Sequence, residues 1–291
     1  MRRNAGPFYV APLAGWLLLF FLIPISIIAL YSFMSKGAYG GVVYRMSCSG
    51  YRALLNPTFL SIAATTFAIA FSSSLIMVLM ALPAAYFIAG SSRKNFFLFL
   101  VIIPFWTNFL IRIYAWIAIL GNNGFLNSFL TGSGITSHHV QFLYNKYAVI
   151  LVTVYAYLPF AILPLYSAIE KFDFALLEAA RDLGATKRQS ILRILLPSIR
   201  GGITTAFLFT FIPSFGSYAI PQILGGSDSL MLGNIIAREL TVTRNWPLAS
   251  SISMVLTVIT TLGVVLFIRL NRSSVEKVRE TVAAEKQEGK A

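Results

Sequence analysis

Between positions 170 and 200 the chain carries EKFDFALLEAARDLGATKRQSILRILLPSIR, whose residue types suit the recognition of another surface rather than catalysis. Asp173 is a good N-cap for a helix from Phe174 to Leu183. On that helix Leu176, Leu177, Ala180 and Leu183 recur along one face, while Glu178, Arg181 and Asp182 lie on the other. Gly184 suits the left-handed residue that closes a helix. Thr186 with Gln189 makes a capping box for a second helix, running to about Leu196 before Pro197. The expected element is a helix, a glycine bend and a helix, with an apolar face to bury. It could lie along anionic headgroups or dock into a groove on another protein. The carboxylates Asp173, Glu178 and Asp182 favour the protein groove, because a lipid-binding helix would be uniformly basic there.

Nothing else groups into a catalytic set. The single Cys48 excludes an internal disulfide framework and any multi-cysteine metal site. His138 and His139 are adjacent without further ligands and read as surface residues. No G-x-x-x-x-G-K-S/T phosphate loop occurs, so a nucleotide would have to be bound by a separate polypeptide. Arg112 is the sole charge inside an apolar run. It either lines a solute pathway or serves a structural role, bonding freed carbonyls or snorkelling to an interface. Asn108 lies beside it, and Tyr155, Tyr157, Phe160, Phe215 and Tyr218 are further pathway candidates that packing would explain equally well.

The elements that position these residues are membrane spans. A mean hydropathy of +0.76 with only 11% charged residues is too apolar for a soluble domain of 291 residues. Charges bracket runs that can each hold the roughly 20 apolar residues needed to cross about 30 Å of hydrocarbon. Six helices are expected near 9–34, 60–89, 96–120, 147–169, 202–224 and 248–270. They form one membrane domain over 1–271, followed by a helical, solvated tail over 272–291. Pro24, Pro83, Pro104, Pro159, Pro164 and Pro213 fall within spans, which bundled helices tolerate. Basic residues divide 16 against 6 between the two sides, which places both termini and the 170–200 loop in the cytoplasm. The first apolar run is too long for a signal-peptide core and reads as an uncleaved span. The same placement of charge accounts for the basic balance without nucleic acid.

The loop resembles the signature of membrane subunits of bacterial ABC importers: Glu-Ala-Ala, three residues, Gly, nine residues, Ile, one residue, Leu-Pro. Glu178, Ala179, Ala180, Gly184, Ile194, Leu196 and Pro197 match it at every fixed position, with Arg181 inside it. The segments PFWTNFLIRIYAWIAILGNNGFLN and YLPFAILPLYSAIEKFD look like spermidine/putrescine-type permeases of the PotB and PotH group. The resemblance implies an all-α, six-span type I ABC importer permease fold in an inner membrane, with the loop as coupling helix. It implies a separate ATPase dimer that binds ATP and Mg, a related second permease in a heterodimer, and a periplasmic binding protein. That protein would sit on the external loops near 36–58, 121–146 and 225–247, where Asp228, Arg238, Glu239 and Arg244 are candidate contacts alongside membrane lipid. The chain itself would not be an enzyme. Opines, amino-acid-like or inorganic anions and ferric iron are alternative solutes. A gradient-driven secondary transporter is the rival class, but the intramembrane carboxylates it calls for are absent from the spans.

Overall fold

The computed structural model describes the backbone of residues 6–288 and the side chains of 11–269. Helix α1 (Gly6–Leu17) passes through a π turn at Leu18–Leu22 into α2 (Ile23–Ser32). The turn is wide because Pro24 lacks an N–H and its ring crowds the carbonyl four residues back, so the Ile23 N–H reaches the Leu18 carbonyl instead. A hairpin of β1 (Met34–Lys36) and β2 (Val42–Met46) leads to α3 (Ser49–Leu54) and α4 (Pro57–Ala89). Next come α5 (Lys94–Ile102), α6 (Phe109–Leu120), α7 (Phe125–Gly132) and α8 (Lys146–Glu170). The loop helices α9 (Ala175–Asp182), α10 (Lys187–Ser190) and α11 (Leu196–Ser198) precede α12 (Arg200–Phe215). The chain ends with α13 (Ala219–Leu224), α14 (Leu232–Thr241) and α15 (Trp246–Glu288).

Ala11–Ser32, Pro57–Ala89, Phe109–Gly132, Lys146–Glu170 and Trp246–Arg269 are each long and apolar enough to cross a membrane. A sixth crossing exists if Lys187–Ser198 and Arg200–Phe215, bent by 70°, count as one. Two expected helices prove discontinuous. The run 96–120 breaks at Ile103–Trp106, a 3-10 turn containing Pro104, after which Thr107 is extended (φ −85°, ψ 145°) and Asn108 starts α6. The run 202–224 breaks after Phe215, where the Gly216 N–H bonds Ile212 O at 3.2 Å and Ser217 N–H bonds Ser214 O at 3.1 Å, before α13 begins. By contrast Pro83, Pro159 and Pro164 sit inside unbroken helices. Beyond Arg269 the backbone stays helical to Glu288, as expected of the tail; its side chains lie outside the described residues.

The fold divides into two compact units, one of residues up to 64 with 231–259, the other of 65–230 with the chain from 260 onward. In the first, the Tyr51 hydroxyl donates to Ser32 Oγ (2.8 Å) and the Ser251 hydroxyl lies 3.0 Å from Ser32 O. Gly50 rests on the same serine, where any side chain would overlap Ser251 Oγ. Leu232, Ile235 and Ile252 form this unit's small core. The window of the first span has no buried residue, so its apolar side chains await lipid or another chain on every face.

The second unit has the larger core, drawn from Met77, Ala81 and Ala85 of α4, Ala161, Leu165 and Ile169 of α8, and Ala206 of α12. Small residues let α12 approach α8 closely, and a Cβ on Gly202 would overlap the Cβ of Ala168. Asn127, fully buried on α7, closes the 121–140 loop: Nδ2 donates to Gly121 O (3.0 Å) and Val140 O (2.9 Å), and Oδ1 accepts from Val140 N–H (2.9 Å). Asn127→Leu keeps the bulk and loses three bonds worth about 1 kcal/mol each. Amide exchange across 121–140 is expected to rise at least tenfold; unchanged protection would show that the loop is held by something else.

Candidate functional site

The motif of the 170–200 loop folds as helix, glycine bend and helix, and each half has its own local cause. Asp173 Oδ1 accepts the Ala175 N–H at 3.0 Å, but Phe174 and not Asp173 is the N-cap residue, because α9 starts one residue later and is slightly shorter than the expected 174–183. At the far end Gly184 has φ +91°. Its N–H bonds Arg181 O (2.9 Å) and the Ala185 N–H bonds Ala180 O (3.0 Å), the paired bonds of a left-handed helix stop. Nothing crowds a Cβ at 184, so glycine is required there by backbone angle and not by space. Thr186 Oγ1 then accepts from Gln189 N–H (3.3 Å) and Gln189 Oε1 accepts from Thr186 N–H (2.8 Å), which is the expected capping box. The second helix does not stop before Pro197. A π turn at Ile191–Leu195 lets the Leu196 N–H reach Ile191 O, relieving the proline as at Pro24, and helix continues to Ser198.

The single apolar face expected on α9 is in fact two stripes. Leu177 is buried and Ala180 partly so, whereas Leu176, Ala179 and Leu183 form an exposed stripe, with Leu183 90% exposed. Glu178, Arg181 and Gly184 are exposed as well. In the second half, Ile194 and Leu196 are partly buried and pack on the bundle core, Leu195 and Ile199 are buried within it, and Pro197 is exposed. The motif therefore splits into a presenting half, Glu178 to Gly184, and an anchoring half, Ile194 to Leu196. At the loop's start Lys94 Nζ lies 2.6 Å from Glu170 Oε1, which also accepts from the Tyr166 hydroxyl at 2.6 Å. That hydrogen bond and charge hold the Lys94 ammonium above the usual lysine range.

Arg112 occupies a separate neighbourhood on α6. Its Cζ sits 5.4 Å from the ring centre of Phe105 and 5.7 Å from that of Phe109, and its Nε is buried without a hydrogen-bond partner. Phe109 stacks on Tyr157 (6.2 Å), Phe105 meets Phe160 edge-on (5.2 Å), and Trp116 meets Tyr155 edge-on (5.3 Å). Asn108 caps α6, its Oδ1 accepting from Leu110 N–H (2.9 Å) and Ile111 N–H (3.4 Å). That oxygen is engaged with the backbone and is not free for a solute. Sequence reasoning overlooked Phe105, Phe109 and Trp116, although Phe109 and Trp116 stand three and four residues from Arg112 on the same helix. Phe215 is 4% exposed and ends a different ladder of stacked rings, Phe207–Phe211–Phe215, so it lines no open surface of this chain. Tyr218, half-exposed, stands at the break before α13.

The candidate contacts of the 225–247 loop are partly structural. Asp228 Oδ2 accepts the Lys146 N–H at 3.3 Å, at the positive end of α8. Arg244 has φ +50° and its carbonyl accepts the Gly41 N–H at 2.7 Å. Arg238 is exposed, and Glu239 is partly buried beside Thr243. His138 and His139 are exposed, and no cluster of three metal-ligating side chains occurs among the described residues.

The family described as binding-protein-dependent transport system inner membrane component matches residues 77–280, which include Arg112 and the whole loop. The spermidine/putrescine transport system permease protein PotB of Haemophilus influenzae is 38% identical over 271 residues, 92% of this chain and 95% of the relative. PotB of Escherichia coli is 35% identical, with 92% and 98% covered. Among solved structures, a chain of a bacterial ABC transporter that imports the acidic polysaccharide alginate superposes with a TM-score of 0.74 at 19% identity, covering 92% of this chain and 96% of that one. A chain of the MetNI methionine ABC transporter gives 0.55 at 20% identity, with 75% and 99% covered.

Proposed function

The chain belongs to the family of binding-protein-dependent transport system inner membrane components, and from that premise we propose that it is one permease subunit of a polyamine importer driven by a separate ATPase. Its fold is that of a type I ABC importer permease. The observation that carries the coupling role is the two-sidedness of the loop. Leu177, Leu195 and Ile199 belong to the same core as α4, α8 and α12, while Leu176, Ala179 and Leu183 face outward with no cover. A groove on the ATPase that takes the outer stripe thereby grips the bundle itself. When ATP and Mg close the ATPase dimer, the loop moves as a rigid body and carries α8 and α12 with it. The 16-to-6 division of basic residues supports a cytoplasmic loop and cytoplasmic termini. The opposite loops then receive a periplasmic binding protein, and a second, related permease completes the path.

Polyamines follow from the PotB likeness over nearly the whole chain. Arg112, a positive charge within a span, favours an anionic solute as the second reading. Uptake of labelled spermidine decides between them, in a strain deleted for its own polyamine importers and supplied with this chain, its ATPase, second permease and binding protein. Saturable uptake competed by putrescine and untouched by organic anions is the expected result. Accumulation of anions alone would refute the polyamine assignment and leave the importer standing.

A further inference from the structure

Arg112 has aromatic neighbours and no acidic one. Phe105 and Phe109 cradle its guanidinium, its Nε finds no acceptor, and among the described residues it makes no ion pair. This chain is poorly placed to supply one, since its first 169 residues contain neither Asp nor Glu. Of the next acids, Glu170, Asp173, Glu178 and Asp182 lie in the 170–200 loop, and Asp228 and Glu239 lie in the segment after α13. A full charge within a span is costly unless it meets water or an opposite charge, and ring faces offset only part of that cost. Arg112 is partly exposed, and it borders the outward face of α6 on which Ile111, Ala115 and Ile119 are exposed. This face awaits a partner that brings a negative charge, which hydrocarbon tails do not.

We infer that the second permease subunit presents a carboxylate to Arg112 across the interface, and that this ion pair is a closed contact which the substrate opens by competition. The inference rests on the reading of the chain as one of two permeases in a polyamine importer. A protonated amine and a guanidinium seek the same partners, a carboxylate and the faces of Phe105 and Phe109. Arg112 is thus a tethered stand-in for the polycation. A positive residue in the path then belongs to a cation importer, because what it holds shut is the cation's own site.

The test uses the purified complex of this chain, the second permease and the ATPase. Arg112→Lys places a primary amine where the guanidinium stood, and an apolar carbodiimide joins an amine to an adjacent carboxylate. The expected product is a covalent dimer of the two permeases, absent from wild type and mapped by mass spectrometry to position 112 and an acid of the second permease. Saturating spermidine should reduce its yield at least twofold. No product at position 112, or a product with an acid of this chain, overturns the inference. Arg112→Met gives a second readout that survives failure of the first variant. With a paired arginine, the second permease retained after heating should fall at least threefold, because the carboxylate is left uncompensated. Equal or greater retention overturns the inference, since removing an unpaired charge from within a span relieves the fold. A wild-type preparation containing no second permease would instead refute the importer reading on which the inference rests.

Discussion

Gly184→Pro is expected to cut solute uptake at least tenfold while the chain still inserts and the ATPase still turns over. Proline removes the N–H that bonds Arg181 O, and its ring fixes φ near −65° where the backbone stands at +91°. The left-handed stop after α9 cannot form, so the outward stripe of Leu176, Ala179 and Leu183 loses its set angle to the second helix. The anchoring half, Leu195 and Ile199, stays in the bundle core, which is why insertion should persist. A graded series isolates the cause. Gly184→Asn, which tolerates the left-handed region, should be mild, and Gly184→Ala intermediate, since only backbone angle and no neighbour opposes a Cβ there. Glu178→Arg should uncouple in a different way, by reversing a charge on the presented face. The measurements are uptake and ATP hydrolysis in proteoliposomes. Full coupled uptake in Gly184→Pro would remove the bend from the mechanism.

The bend was legible because its signals are local. Asp173, Gly184 and the Thr186–Gln189 pair each act on backbone groups within three residues, and each does what its type foretells. The outward stripe was not legible, because helical spacing groups Leu176 and Leu183 with Leu177 and cannot say which edge of a broad apolar arc meets the core. That is decided by how α9 packs on α10 and the π turn at Ile191–Leu195, which seats Leu177 in the bundle core. The break within 96–120 shows a different limit. Proline alone does not mark it, since Pro159 and Pro164 leave α8 whole. What distinguishes Pro104 is Asn108 four residues later, whose side chain offers two N–H groups of a new helix a better partner than continuation would. Arg112 was recognised as exceptional by its charge, but its cradle was not, because Phe105 comes from the turn before the break and Tyr157 and Phe160 from α8.

The division of the loop motif has a mechanical consequence. Ile194 and Leu196 pack on the bundle, so changing them should loosen the loop's root, whereas Ala179 or Glu178 alters only what the loop presents. On the proposed coupling role, force entering at α9 would leave through Leu195, Ile199 and the 70° bend into α12. The stiffness of the α12–α8 contact therefore sets how much of it reaches the spans.

That contact is tested most sharply at Gly202. Gly202→Leu is expected to abolish accumulation of the assembled complex, because the new side chain has to displace Ala168 on the facing helix. Gly202→Ala gives a signed test. In a helix with room to spare, alanine stabilises relative to glycine by about 1 kcal/mol. Here its Cβ would overlap that of Ala168, so a loss of about 1–3 kcal/mol is expected instead, seen as a lower temperature for half-retention of the detergent-solubilised complex. Ala168→Gly removes the obstacle. The next nearest atoms, Pro164 O at 3.6 Å and Ala168 Cα at 3.9 Å, stand at ordinary contact distance, so the double variant should recover most of the loss. The two changes are then strongly coupled although each alone alters one methyl group. A double variant as unstable as the sum of the singles, or a Gly202→Ala chain more heat-resistant than wild type, would show that α8 and α12 are held apart there, and the path from loop to spans would have to run elsewhere.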